Sequence, residues 1–455
     1  MVLLISLLQK KYHQRKCDML SKERALALVR GNVFNTIGCT EPVAIAYAAT
    51  AAYQHLGGTI KSLDIRISVN MFKNAMAVGI PGSDQKGIKF ATALGLVAGD
   101  WKKGLRLFED VTSEHLAEAS RLSSNGMISI GLTDEPDKVF ISTLVETDRG
   151  TAKAEIRGSH ANLLYVDVNG ERLYESSSSG DSGAARKPGD RETEELKGLQ
   201  MEELAAAVDA ISEEELAFLS EAVDLNVAAA EYGLENSPGM GLGTGTARLM
   251  NAGIVGDSLA TRVEQYVAAA ADSRMSGQMV PIKGCGGSGN HGIAYFLGTG
   301  LAWRHAQDKA VQSLPRTLAM GLLLVKYIKE YTGLLTPTCG VTVSAAPAIA
   351  ASLVYAMGGS PETMTAAVKL VLGNIAGILC DGAKHGCSLK AATSARFGVQ
   401  AAFLALEGVR IPDSDGIIGT DLPSSMENLR RIQENGLTDA DQTMLDVLLE
   451  KSAQM

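Results

Sequence analysis

The sequence predicts an α+β protein, a mainly α-helical domain with an inserted small α+β module. Three observations predict it. Strand-like alternation is confined to roughly residues 60–175. A polar stretch rich in Ser, Gly and charge follows. From about Leu196 onward, apolar residues recur with helical period between Gly-rich turns. At 455 residues the chain is too long for one small core, so two domains are expected.

Residues 1–20 begin MVLLISLLQKK. This apolar run is short, with no basic region before it and no small-residue cleavage site after it. It reads as an N-terminal extension rather than a signal peptide, with Met19 as an alternative start. Residues 21–58 read as helix, Gly-bearing turn and helix. The stretch from Pro42 to His55 is Ala-rich and carries no Asp, Glu, Lys or Arg, which marks it as buried. Residues 61–80 alternate as a strand does, and 89–99 and 113–121 read as helices. Two more alternating runs follow, FISTLVETDRGTAKAEIRG and NLLYVDVNGERLYE, the second turning at Asn169-Gly170. Residues 59–175 are thus the α+β module, and 176–195 a linker or mobile loop. Helical runs are expected at 200–232, 258–272, 315–330, 344–357, 361–379 and 388–407. With 21–58 packed against them, residues 196–455 form the helical domain.

Composition excludes several classes. The chain is 46% hydrophobic and 20% charged, with a formal charge of -9 and a pI of about 5.4. No basic stripe with interleaved aromatics occurs, so nucleic acid is not an expected partner. Residues 332–361 carry no charge and are long enough for a membrane span. Pro337, Pro347 and many small residues make them a buried loop and helix instead. Six cysteines, at 17, 39, 285, 339, 380 and 387, are too sparse for a disulfide framework. A cytoplasmic protein is expected.

Cys339 lies in LLTPTCG, while Cys380 and Cys387 bracket CDGAKHGC. Glycines and Pro337 put all three on turns. Three thiols suit an iron-sulfur cluster with one iron left open, whereas zinc prefers closer Cys pairs and a closed shell. On spacing alone, three buried core cysteines fit equally well. Cys39, in NTIGCTEPVAIA, stands at a helix start marked by Pro42, with Thr40 as cap and Glu41 beside it. The helix dipole there favours a thiolate, and Glu41 opposes it, so Cys39 is a candidate nucleophile, base or ligand. The loop GCGGSGNHG at 284–292 offers backbone N–H groups with Ser288, Asn290 and His291, a natural seat for a carboxylate. GMGLGTG at 239–245 lacks the Lys-Ser/Thr of a phosphate loop.

Four blocks in order, GCTEPVAIA (38–46), SRMSG to SGNHG (273–292), LTPTCG (335–340) and CDGAKHGC (380–387), carry a resemblance. The chain resembles the serine dehydratase alpha-chain superfamily, and within it the L-cysteine desulfidase branch, formerly the uncharacterised protein family UPF0597. The resemblance runs from about residue 21 over nearly the whole chain. It implies a lyase of amino-acid catabolism that performs β-elimination on a 4Fe-4S cluster without pyridoxal phosphate. The cluster ligands would be Cys339, Cys380 and Cys387, and the base Cys39. Ser288, Gly289, Asn290 and His291 would hold the substrate, with Thr40 and Glu41 beside the base. L-cysteine would bind by its carboxylate at the open iron and yield hydrogen sulfide, ammonia and pyruvate. A homo-oligomer, as a dimer, is also expected.

Two features depart from the family pattern. Asn and Gln are common near the positions where this chain has Cys285 and His291, so Cys285 is not an obligatory ligand. The serine enzymes also carry a cysteine near the C-terminus, whereas this chain ends KSAQM. Alternatives stay open: L-serine dehydration on the same scaffold, a pyridoxal-phosphate lyase using Lys390, and a non-catalytic amino-acid-binding or regulatory protein.

Overall fold

Apolar residues divide between two cores, and that division positions the site. The computed structural model describes residues 20–176 and 195–454. Nearly all of the expected N-terminal extension and linker lie outside these residues, as does Cys17.

Helix α1 (Lys22–Gly31) starts at Ser21, whose Oγ accepts from the Arg24 N–H at 3.2 Å. Strand β1 (Val33–Thr36) and helix α2 (Thr40–Leu56) follow. Every residue of α2 from Thr40 to Ala52 is buried. So much apolar surface must be covered on all sides.

The module supplies most of that cover. It comprises β2 (Ile60–Ile67), α3 (Val69–Ala75), α4 (Ile88–Ala98), α5 (Ser113–Ser124), β3 (Ile128–Leu132), β4 (Phe140–Thr147), β5 (Gly150–Arg157), β6 (Leu163–Val168) and β7 (Glu171–Glu175). The sheet order is β3-β2-β4-β5-β6-β7, parallel only between β2 and β3. Asn169 and Gly170 both take positive φ, 51° and 88°, as the tight β6–β7 hairpin requires. The alternation expected over 61–80 ends at Ile67. Residues 69–75 are helical and bury Met71 and Ala75, four apart, on one face.

Helix α2 lies on β4, β5, β6 and α4. Its residues from Val43 share one core with the module, through Val166. The other core joins Ala25–Val29 to residues from Leu196 to Leu429. The hydrophobic division therefore falls between residues 29 and 43, not at 58. The reason is that α2 is apolar enough to serve as the module's own central helix.

The helical unit runs α6 (Met201–Asp209), α7 (Glu213–Leu216), α8 (Ala222–Asn236), α9 (Leu242–Asn251), α10 (Leu259–Met275), β8 (Ile282–Cys285), α11 (Gly289–His305), α12 (Leu314–Thr332), α13 (Ala346–Ala356), α14 (Pro361–Ile375), α15 (Cys387–Leu406), α16 (Leu422–Arg431) and α17 (Ala440–Gln454). It is not purely helical beyond residue 196. Strand β8 pairs antiparallel with β1, from Val33 opposite Cys285 to Thr36 opposite Ile282. The uncharged segment 332–361 closes α12, forms a loop and a wide helical turn at Val341–Ala345, and enters buried α13. No helix of the described residues is long and apolar enough to cross a membrane. Helix α17 docks on α3 of the module, where Asp441 accepts from Lys73 Nζ at 2.5 Å and Asn70 Nδ2 at 2.7 Å.

Candidate active site

Backbone pairing brings two of the three expected ligands together. Thr338 and Leu379 form an antiparallel bridge. The Cys339 N–H donates to Ile378 O at 2.6 Å, and the Cys380 N–H to Pro337 O at 2.8 Å. In such a pairing residues 339 and 380 stand on one face as diagonal neighbours, with Cα atoms about 7–8 Å apart. Cys387 opens α15 at the end of the same loop, its Sγ 3.4 Å from Gly382 O. The three sulfurs lie near enough to act on one another. Burial first, then the neighbouring thiols, raise Cys387 to about 12, and burial followed by Cys380 raises Cys339.

Lysines ring this loop. Lys73 Nζ donates to Cys380 O at 3.2 Å, Lys384 Nζ to Lys73 O at 3.2 Å, and Lys390 pairs with Asp381. Lys329 is buried on α12 with Nζ 3.1 Å from Leu334 O. Burial lowers it to about 8, against the pull of Cys339, Cys285 and Cys380. Among the described residues, no three His, Cys, Asp or Glu side chains already converge as metal ligands. The donor chemistry nevertheless fits an anionic thiolate-bound cluster: three thiols on one loop pair, with Lys329 and Lys384 nearby and Lys73 and Lys390 already paired with Asp441 and Asp381.

Cys39 lies against Cys387, in a small cluster between the two larger cores. Gly38, at φ +70°, turns the chain into α2, and a Cβ there would stand 2.2 Å from Pro81 Cγ. Cys39 itself, not Thr40, takes the cap position, with no side-chain cap bond. It is 0% exposed and packs with Val78 and Met275, against Ala383 and Cys387. The expected thiolate is not favoured: burial raises the thiol to about 11. Arg274 and Lys384 lower it and Glu41 raises it, but together they do not undo the desolvation. Thr40 Oγ1 donates to Glu41 Oε2 at 3.3 Å, and Asn74 Nδ2 to Glu41 Oε1 at 3.0 Å. Burial alone would raise Glu41; His160, its own backbone N–H, Arg274 and Asn74 hold it below the usual carboxylate value.

The glycine loop closes the arrangement. Gly286 and Gly287, at φ +59° and +76°, make a tight turn in which Cys285 and Ser288 exchange backbone hydrogen bonds. Ser288 is the half-buried cap of α11, and Gly289, Asn290 and His291 form its first turn. Asn290 Oδ1 accepts from Arg274 Nη1 at 3.1 Å. His291 lies apart from Asn290, against Gly340, where an added Cβ would be 2.8 Å from its ring. Burial first, then Lys329 and Arg274, hold its pKa well below the ordinary histidine value. Cys285 is buried in β8, where desolvation raises its thiol. A cleft of about 620 Å³ between Gly82–Gln85 and Gly277–Val280 is lined by none of the cysteines.

A model of the serine dehydratase alpha chain matches residues 102–446. The chain belongs to the serine dehydratase alpha chain family. A UPF0597 protein of Desulfatibacillum aliphaticivorans is 34% identical over 91% of this chain and 95% of its own length. One from Clostridioides difficile strain 630 is 32% identical over 93% and 98%, and one from Alkaliphilus metalliredigens is 32% identical over 94% and 95%. Membership in the serine dehydratase alpha chain family makes the chain a lyase-type enzyme of the amino-acid dehydratase kind. Sequence reasoning did not single out Arg274, Lys329 and His160, which the fold sets near Cys39, Glu41 and His291. The available signal for Arg274 was its place inside the SRMSG block.

Proposed function

We propose that the chain is an L-cysteine desulfidase, which converts L-cysteine and water to pyruvate, ammonia and hydrogen sulfide. The observation that carries this reading is the pairing of the 338 and 379 segments. It sets Cys339 and Cys380 on one face, and Cys387 in the same loop packs against Cys39. Cys339, Cys380 and Cys387 would hold a 4Fe-4S cluster. When bound, it would supply Lewis-acid stabilisation of the departing sulfide.

The protein's own groups do the rest. Cys39 takes the proton from Cα, and the pair of electrons released expels HS⁻ from Cβ. The aminoacrylate that leaves tautomerises to an imine and is hydrolysed. Burial holds the Cys39 thiol up at about 11, so its proton must first pass to the thiolate of the incoming substrate, which then leaves as HS⁻ once Cys39 has taken the Cα proton. Arg274 and Lys384, which already lower the thiol, favour the loss. Asn290 and Ser288 orient the substrate at the start of α11, with Thr40 and Glu41 lining the side nearest Cys39. Complete burial of Cys39 keeps water from competing for the Cα site.

L-serine dehydration is the second reading, favoured by the family that the chain matches. Anaerobic purification, iron and sulfide assay, and parallel kinetics with both amino acids test these readings. A brown protein with higher kcat/KM for L-cysteine supports the first, and a preference for L-serine supports the second. A colourless, iron-free protein without turnover rejects both and leaves an amino-acid-binding protein. Cys380→Ala should lose most cluster iron; unchanged iron content would contradict the ligand assignment.

A further inference from the structure

Arg274 is 3% exposed and ends α10, yet no carboxylate pairs with it among the described residues. Its Nη1 donates to a neutral amide oxygen, Asn290 Oδ1, and to the Met275 thioether at 3.6 Å. Its Nε has no hydrogen-bond partner among the described residues. Glu41, the acid that Arg274 influences, has its oxygens engaged by Asn74 and Thr40. A buried guanidinium held by neutral groups is costly unless an anion completes it.

The same thioether collects two other donors. Asn290 Nδ2 lies 3.2 Å from Met275 Sδ, and Cys39 Sγ lies 3.7 Å from it. Sulfur in a thioether is a weak acceptor, and methionine is among the most adaptable side chains. Three polar groups from three elements thus converge on one displaceable atom beside the proposed base. The main chain is shaped for this arrangement: at Gly289 a Cβ would stand 2.2 Å from Arg274 Nε.

We propose that Arg274, with Asn290 Nδ2, is the anchor for the substrate's α-carboxylate, and that the carboxylate takes the place of the Met275 sulfur. The inference rests on the reading of this site as one that binds a small amino acid. It adds the residue that would select for a free carboxylate. Two charge-assisted donors would then fix Cα beside Cys39.

The test compares L-cysteine with cysteamine, which keeps the thiol and amine but lacks the carboxylate. In anaerobically purified enzyme, Arg274→Gln should raise the KM for L-cysteine roughly 10- to 100-fold. Iron content and the cluster absorbance should stay unchanged and the Ki of cysteamine should not move, while kcat should also fall because Arg274 favours loss of the Cys39 proton. Arg274→Lys should recover part of the loss. An unchanged KM, or equal weakening of L-cysteine and cysteamine, overturns the proposal. Should Arg274→Gln fail to fold, Asn290→Asp decides: a carboxylate placed on Arg274 should raise KM in the same selective way, and no rise overturns it. If the wild type turns over neither L-cysteine nor L-serine, the functional reading fails separately. The anchor is then read from Tm: L-serine should raise it and L-serinamide should not. Equal or absent shifts overturn the anchor.

Discussion

At the scale of single residues, burial decides what each group can do. Cys39 was placed at a helix start where the dipole favours ionisation, yet it is fully desolvated and its thiol rises to about 11. Cys39→Ala should abolish turnover while leaving iron content and the cluster spectrum intact; residual activity within tenfold of wild type would remove it as the base. His291 is governed by the same physics with the opposite charge. Its folded pKa is depressed, so its contribution to stability is complete above the ordinary value of 6.5. As pH falls below 6.5 the unfolded chain takes up a proton that the folded chain does not. Stability then declines by about 1.4 kcal/mol per pH unit until the folded pKa is reached. His291→Gln should flatten the denaturation midpoint between about pH 6.5 and 5.5. A slope equal to the wild type's would show that His291 is not buried in neutral form. Cys39 and His291 were legible in the sequence as candidates, but their burial was not, and Arg274 and Lys329 look like ordinary polar residues until the fold encloses them.

At the scale of elements, legibility followed length and period. The spans of α4, α10, α12 and α15 agree with the sequence reading to within a few residues because each is a long helix of 11 residues or more. Strands β1 and β8 are four residues each, and β8 carries a glycine, too little to show alternation. The 338–379 bridge joins segments 41 apart and has no local signature. Helix α17 was not foreseen either, although Lys73 links it to the loop that carries Cys380. Asp441 accepts from Lys73, which is 1% exposed and also donates to Cys380 O. Asp441→Ala would leave that ammonium buried without its counter-charge, at a cost of about 3 kcal/mol or more. A clear fall in Tm should follow, together with lower iron occupancy after anaerobic reconstitution. Unchanged values for both would mean that the docking of α17 does not support the loop.

At the scale of the whole molecule, the candidate site lies where two hydrophobic cores meet. Thr40 and Glu41 open the helix that belongs to one core, Arg274, Asn290 and Cys387 stand on helices of the other, and Cys39 packs with Met275 and Cys387 between them. The two-part organisation was legible in the change of periodicity after residue 195. The membership of α2 was not, because an Ala-rich uncharged helix fits either core equally well. That difference has a physical consequence. If residues 59–175 were a detachable insertion, joining Gly58 to Ser176 by a short linker would leave a folded helical enzyme. The packing predicts otherwise. α2 would lose β4, β5, β6 and α4 and expose Val43, Ile45, Tyr47 and its alanines. Each large apolar side chain uncovered costs about 1.5–3 kcal/mol, which together approaches the whole stability of an ordinary domain. The shortened chain should elute as aggregate on size exclusion and bind little iron. A monodisperse, iron-loaded product would show that the helical core holds Cys39 in place without the module.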